Sequence, residues 1–218
     1  MRASVIEVRD LQLGEAAADV SFTVAEGEVF ALLGRHGSGK TTVLEALAGL
    51  RRPAGGTVRV RGADPHGDRD AVRTGAIWRE GGLFPGLTVA EIVDAWRRWT
   101  LDPLTRDDAL RLARLHDVAD VPFERLAPGR RRLLDLALAL VGRSDVLFLD
   151  EPTADLDDAS SREVWEVLRG VARHGVTVVV ATRDPDEACR ADRVGVLDAG
   201  RPTASGQAAR DLPRARAA

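Results

Sequence analysis

The sequence contains one lysine. Its Lys+Arg total is 31, so every other cationic side chain is arginine; Lys40 stands alone between a glycine and two threonines in FALLGRHGSGKTT, residues 30–42. Tyrosine and asparagine are absent, and the glutamines are Gln12 and Gln207. The histidines are His36, His66, His116 and His174. The lone cysteine, Cys189, excludes an internal disulfide and fits a reducing compartment. A net charge of −3 gives no basic footprint for nucleic acid, and no acidic tail is visible. The longest apolar runs, such as VTVVVA at 176–181, are far too short to span a bilayer. The opening MRASVIEVRD lacks the apolar stretch of a signal peptide. These absences lead us to expect a soluble, cytoplasmic protein whose membrane role, if it has one, comes through a partner.

What is present is ordinary in bulk and specific in pattern. At 218 residues, 44% hydrophobic and 30% charged, the chain is long enough for one domain with a full core. Segments 4–10 and 19–24 are β-rich, and EVFALL (28–33) is a continuous apolar run that reads as a buried strand. The next segment, KTTVLEALAGL, sets Val43, Leu44, Leu47 and Leu50 on one helical face. GGTVRVRG (55–62) alternates as an edge strand does, and GAIW (75–78) is a further short strand. From Thr88 to about Val141 the reading is helical, opening with a capping box of Thr88 and Glu91. Strand and helix then alternate: DVLFLD (145–150), a helix at 160–173, VTVVVAT (176–182), a short helix, and RVGVLD (193–198). Such alternation implies a parallel α/β sheet.

Gly34, Arg35, His36, Gly37, Ser38, Gly39, Lys40 and Thr41 match G-x-x-x-x-G-K-[ST], followed by Thr42. The match follows a buried strand and opens a helix, as the mechanism requires. Glycines let successive N–H groups curl around phosphates, and the helix N-terminus adds partial positive charge. Lys40 offers a compact charge on a flexible stem where an arginine fork would be too bulky. Thr41 offers a hydroxyl to Mg²⁺, and His36 is a spacer whose backbone is in use. The matching acidic half is VLFLDE (146–151): Asp150 is placed to hold the metal, and Glu151 to orient and deprotonate a water. An acidic pair after an apolar strand also serves as a simple helix cap, but not readily beside a phosphate loop.

At this point the order of segments resembles the ATP-binding subunits of ABC transporters, over nearly the whole chain. EPTADLD (151–157) is similar to that family's Walker B exit and D-loop, GLFPGLTVAEI (82–92) to the segment after its Q-loop, and 187–206 to its closing strands. The wording is closest to the antibiotic- and multidrug-export branch. The resemblance implies an α/β fold: a P-loop NTPase (RecA-like) parallel-sheet core, about 1–85 and 141–218, with an antiparallel β edge and an inserted helical subdomain at about 86–140. It implies ATP and Mg²⁺ as cofactors, ATPase activity, and head-to-tail dimerisation as a homodimer or as a heterodimer with another ATP-binding subunit. It also implies an integral-membrane permease as the driven partner, and a place at the inner face of the cell membrane.

The departures are specific. The family's Leu-Ser-Gly-Gly-Gln signature falls on Leu126, Ala127, Pro128, Gly129 and Arg130, which removes a hydroxyl and one backbone N–H and leaves Ala127 and Gly129 for the opposite nucleotide. Each hydrogen bond lost to a charged group is worth about 1.5–3 kcal/mol. The Q-loop glutamine is replaced by Arg79, which has no lone pair for a metal. The switch histidine is replaced by Arg183, which donates to phosphate but relays no proton. The aromatic that stacks on adenine near residues 12–16 is missing, with only Leu11 and Leu13 nearby and Phe22 too late. Asp157 would connect the two sites of a dimer.

Two functions compete on this reading. The first is an ABC ATPase subunit that hydrolyses MgATP slowly, with Glu151, Lys40 and Arg183 as catalytic residues and Thr41 and Asp150 as metal ligands. The second is a degenerate ATP-binding partner or regulatory module with negligible turnover of its own. A P-loop small-molecule kinase leaves EPTADLD unexplained, and DNA-repair relatives need coiled-coil insertions that are absent. The run Arg130, Arg131, Arg132 reads as a solvated or dimer-facing basic face. Trp96 and Trp99, three apart, read as core or partner-docking residues.

Overall fold

The computed structural model describes residues 3–68, 71–198 and 200–208. Two sheets carry the fold. Strands β1 (Ser4–Gln12), β2 (Val20–Ala25) and β4 (Gly55–Val60) form an antiparallel sheet in the order β2-β1-β4. The larger sheet runs β5 (Thr74–Ile77), β6 (Val146–Asp150), β7 (Thr177–Thr182), β3 (Val29–Leu33), β8 (Arg193–Asp198), β9 (Arg201–Ala208). Its first five strands are parallel, and β9 closes the edge antiparallel to β8.

The central strands are apolar throughout because both of their faces are covered. Alternate residues divide between two cores. Ala31, Leu147, Leu149, Val178 and Val180 face the helices that follow α1 (Lys40–Leu47) in the chain. Phe30, Leu32, Val146, Phe148, Val179 and Ala181 face α1 and the antiparallel sheet. Phe22 stacks on Phe30 in that second core, with ring centroids 5.0 Å apart, so it is committed to packing. Leu11 and Leu13 are buried there too.

Three helices are inserted between β5 and β6: α2 (Val89–Arg98), α3 (Arg106–Leu112) and α4 (Pro128–Leu140). The expected capping box at Thr88 and Glu91 is formed in full, which fixes where α2 begins. α4 begins with proline at its first turn, a position where a missing N–H costs nothing. Beyond it, α5 (Asp158–Arg173) packs against α4 and the sheet, and α6 (Pro185–Ala188) is a single turn before β8. Among the described residues, no helix is long and apolar enough to cross a membrane.

The insertion overturns one expectation and sharpens another. The run at 130–132 is not a uniform solvated face, because Arg132 is buried and hydrogen-bonds inward. Trp96 and Trp99 are 45% and 91% exposed, so neither belongs to the core.

Truncating the fully buried Phe148 to alanine is expected to cost about 3–5 kcal/mol, while Trp99→Ala should shift stability by no more than about 0.5 kcal/mol. Urea denaturation of the two variants checks the contrast.

Candidate functional site

In a parallel sheet every strand leaves by the same edge, and that edge is where ligands bind in such folds. Here β3 exits into the glycine loop, β6 into Asp150 and Glu151, β7 into Arg183, and β5 into Trp78 and Arg79. Register completes the arrangement. Ile77 pairs with Leu149 and Asp150 with Ala181, so Glu151 emerges between the exits that carry Arg79 and Arg183.

The glycine loop is held by its backbone. The N–H of Gly34 donates to the Thr182 carbonyl at 3.1 Å, which ties the loop to β7. Gly37 and Gly39 have φ of 77° and 88°, a region that side chains disfavour. At Gly39 space is also lacking, since a Cβ would lie 2.0 Å from the Ala16 carbonyl oxygen. Arg35, His36 and Gly37 stand exposed at the loop tip. Lys40 is buried and donates to the carbonyls of Gly34 and Arg35 at 2.8 and 2.9 Å. Burial pushes its ammonium below the usual lysine range; Glu151 and Asp150 oppose that shift and Arg183 adds to it.

Thr41 donates its hydroxyl to Asp150 Oδ2 at 2.8 Å, and Thr42 lies half-buried behind it. Burial raises the Asp150 carboxyl above the usual range, the Thr41 hydrogen bond opposes this, and neighbouring Glu151 adds to the rise. Glu151 is buried, and its backbone sits at φ 46°, unusual for a residue with a side chain. Its Oε2 has no hydrogen-bond partner, and neither does the buried Ser38 hydroxyl in the loop. Buried oxygens without partners mark a place built for something else to bind. The donor set fits a magnesium nucleotide: loop amides and an ammonium for phosphate, with hydroxyl and carboxylate oxygens for a hard cation.

Two arginines close on that carboxylate. Arg79 Nε lies 3.8 Å and Arg183 Nε 3.7 Å from Glu151 Oε2, and Arg79 Nη2 is also 3.8 Å from Asp155 Oδ2. Their backbones are braced by residues that sequence reading missed. Arg132 donates to the carbonyls of Trp78 and Arg79 at 3.1 and 2.9 Å, and pairs with Asp135 at 3.4 Å. Burial raises the Asp135 carboxyl, and Arg132 offsets part of the rise. Glu187 accepts hydrogen bonds from Thr153, Thr182 and Trp165, locking the segment before Arg183 to the loop after Glu151. Nothing in the sequence separates Arg132 from its two arginine neighbours. Glu187 looks there like an ordinary acid in a short helix.

Of the other expected site residues, Gly129 and Asp157 meet at Ser160. Ala127 is the exposed N-cap of α4, without a side-chain cap. Gly129 is buried, where a Cβ would meet the Ser160 hydroxyl at 2.5 Å. Asp157 caps α5 by accepting from the Ser160 N–H and hydroxyl at 2.8 and 2.9 Å. Those hydrogen bonds hold its carboxyl below the usual range.

Comparison with known proteins agrees with this geometry. Residues 17–154 match the family model described as ABC transporter. The Nod factor export ATP-binding protein I of Ralstonia nicotianae is 36% identical over 196 residues, covering 86% of this chain and 61% of that protein. The daunorubicin/doxorubicin resistance ATP-binding protein of Streptomyces peucetius is 36% identical over 202 residues, covering 88% and 61%. The chain thus spans about three-fifths of the length of these two relatives. Among solved structures, cbiO1 from Clostridium perfringens, part of the ABC transporter complex cbiONQ, superposes with a TM-score of 0.86. That match covers 95% of this chain and 90% of the other at 24% identity, which shows the shared fold.

Arg132→Ala leaves a half-buried Asp135 without its partner and frees two carbonyls, and is expected to cost about 2 kcal/mol. Arg125→Ala, at an exposed position, should cost no more than about 0.5 kcal/mol. Equal denaturation midpoints would refute the bracing role.

Proposed function

Because the chain belongs to the ABC transporter family, we propose that it is an ATP-binding subunit that binds MgATP, hydrolyses it slowly, and drives a separate integral-membrane permease in export. The observation that carries this reading is the convergence of Lys40, Thr41, Asp150 and Glu151 at one sheet edge. The loop amides of residues 34–42 cradle the phosphates, and Lys40 turns from the carbonyls of Gly34 and Arg35 to phosphate oxygens. Thr41 and Asp150 would hold the magnesium, whose part there would be to neutralise phosphate charge. Glu151 accepts a proton from the attacking water, and Arg183 donates to the transferring phosphoryl group. The likeness to a Nod factor export protein, beside that to a daunorubicin/doxorubicin resistance protein, supports the export direction.

The dimer in this reading brings Ala127 and Gly129 of one copy, with Asp157 beside them, to the nucleotide of the other. In the single chain Gly129 and Asp157 both meet Ser160 near the N-termini of α4 and α5. The permease contact falls on the helical insertion, which we take as a subdomain of one ATP-binding domain spanning 1–218. A groove of about 890 Å³ there is lined in part by Trp78, Phe84, Trp96, Leu101 and Leu138. Trp99 and Leu101 are 91% and 92% exposed close by, an apolar surface that an aqueous monomer has little reason to keep. On this reading the chain works at the inner, cytoplasmic face of the cell membrane. Nucleic acid has no place in the scheme.

A second reading is favoured by Arg79, Arg183 and the Ala127-Pro128 pair: a degenerate ATP-binding partner or regulatory module with negligible turnover. The two separate cleanly in the purified protein. Slow phosphate release that disappears in Glu151→Gln, with MgATP binding retained, is expected for the first. Binding without release supports the second. Lys40→Ala should weaken MgATP binding about a hundredfold, equivalent to one or two charge-assisted hydrogen bonds. Unchanged affinity in that variant would defeat both.

A further inference from the structure

The turn that follows α2 holds two large apolar side chains away from the protein. Trp99 and Leu101 stand almost fully in solvent, while Leu104, three residues on, packs against the core. This exposure does not come from a loose backbone, because the turn is tied down on both sides. The Arg97 side chain donates to the Leu104 carbonyl at 2.7 Å, and the Leu104 N–H donates to the Val141 carbonyl at 2.8 Å. Arg143 Nε donates to the Asp102 carbonyl at 3.2 Å, and the Thr100 hydroxyl donates to the Trp96 carbonyl at 2.9 Å. Asp102 sits at φ 48°, in the left-handed region, which turns the chain between Leu101 and Leu104. A backbone fixed in this way presents Trp99 and Leu101 ready-made, with little ordering left to do on binding.

Positive charge is in excess around the turn. Residues 94–111, together with Arg73 and Arg143, carry six arginines and four aspartates, in a chain whose net charge is −3. Both acids nearest the turn are shared between two arginines: Asp94 between Arg97 and Arg106, and Asp102 between Arg73 and Arg143. Arg98, exposed and next to Trp99, has no ion-pair partner among the described residues. The apolar tip is therefore ringed by cations that keep charge to spare for an anionic surface.

Shape favours a lipid surface over a protein. Leu101 borders the groove proposed for the permease, whereas Trp99 stands outside it. The two side chains offer about 400 Å² of apolar surface, roughly half of what one partner buries in a specific protein interface. Both protrude, so a protein would need a pocket for each. A headgroup layer yields to any convex shape, takes an indole at its boundary with the acyl chains and draws arginines to its phosphates. We propose that the turn at Trp99 and Leu101 is a direct lipid anchor. The two side chains enter the interface of an anionic leaflet, and Arg98 and the surrounding arginines lie on its headgroups. The contact needs no nucleotide, so it stands or falls apart from the ATP-binding reading. So small an anchor binds weakly and reversibly by itself. Beside a permease seated in the groove it is the second of two attachments, and each raises the effective concentration of the other.

The test mixes the full chain with vesicles of phosphatidylcholine, pure or containing phosphatidylglycerol, and measures co-sedimentation at low and at physiological salt. The proteins are the wild type, Trp99→Ala, Leu101→Ser, Arg98→Gln, and Leu50→Ser as a control at an exposed leucine beyond α1. Circular dichroism confirms that each is folded. The wild type should partition onto the mixed vesicles, and less onto pure phosphatidylcholine or at the higher salt. Trp99→Ala and Leu101→Ser should each lower the partition coefficient about tenfold, and Arg98→Gln about fivefold on the mixed vesicles alone. Leu50→Ser should partition as the wild type does. Brominated acyl chains should quench part of the wild-type tryptophan emission, and that part should vanish in Trp99→Ala. A wild type that stays in solution beside mixed vesicles, or Trp99 and Leu101 variants that partition as it does, would overturn the proposal and leave the turn to a protein partner. MgATP binding by the same preparations tells the two readings apart. Nucleotide binding without vesicle binding would defeat the lipid anchor alone, and vesicle binding without nucleotide binding would defeat the ATP-binding reading alone.

Discussion

Parallel register is the constraint on which everything else depends. Five strands running one way deliver their exits to one edge, and the order β5-β6-β7-β3 decides which exits are neighbours. Adjacent strands lie about 4.8 Å apart, so residues far apart in sequence are brought within side-chain reach. Lys40, Glu151, Arg79 and Arg183 meet for that reason alone. The apolar runs that make the strands are equally consequences of the arrangement, since a strand with helices on one face and a second sheet on the other has no polar side to offer.

The site is a concentration of charge supported by buried polar bonds behind it. Burying Lys40 and Asp150 disfavours their charged forms, and each is compensated by the other and by a local partner: loop carbonyls for Lys40, the Thr41 hydroxyl for Asp150. Among the described residues, Glu151 has two half-exposed arginines at ion-pair distance, a weak hold compared with a hydrogen bond. The firm bonds are one layer back, where Arg132 and Glu187 fix main chain rather than reacting groups. Rigid backbone with loosely held reacting side chains suits a site whose contacts must be exchanged when a ligand arrives.

The helical insertion links this edge to the rest of the molecule. Arg132 on α4 grips the segment carrying Arg79, and Gly129 at the start of the same helix packs on Ser160, the residue capped by Asp157. A shift of α4 would therefore be felt both at Glu151's neighbours and at the segment proposed to face a second copy. The groove under Trp96 and Leu101 borders β5 and α4, so a partner seated there would press on the same helix.

The sequence alone determined the sheet type, the phosphate loop, its acidic counterpart and the departures at Arg79, Pro128, Arg130 and Arg183. Those features are set by local pattern: a buried strand entering glycines, a helix opening on lysine, an apolar strand ending in two acids. What only the tertiary structure decided is which side chains meet. Arg79 and Arg183 are over a hundred residues apart in the chain, and nothing in either segment says that both would face one oxygen of Glu151. Three consecutive arginines look alike in sequence, yet the packing of α4 buries Arg132 and leaves Arg130 and Arg131 half-buried. Trp96 and Trp99 were equally compatible with core or surface, because helical spacing fixes a face but not what covers it. Pattern specifies elements; the order of strands and the packing of helices specify contacts, since contacts depend on parts of the chain that local pattern never compares.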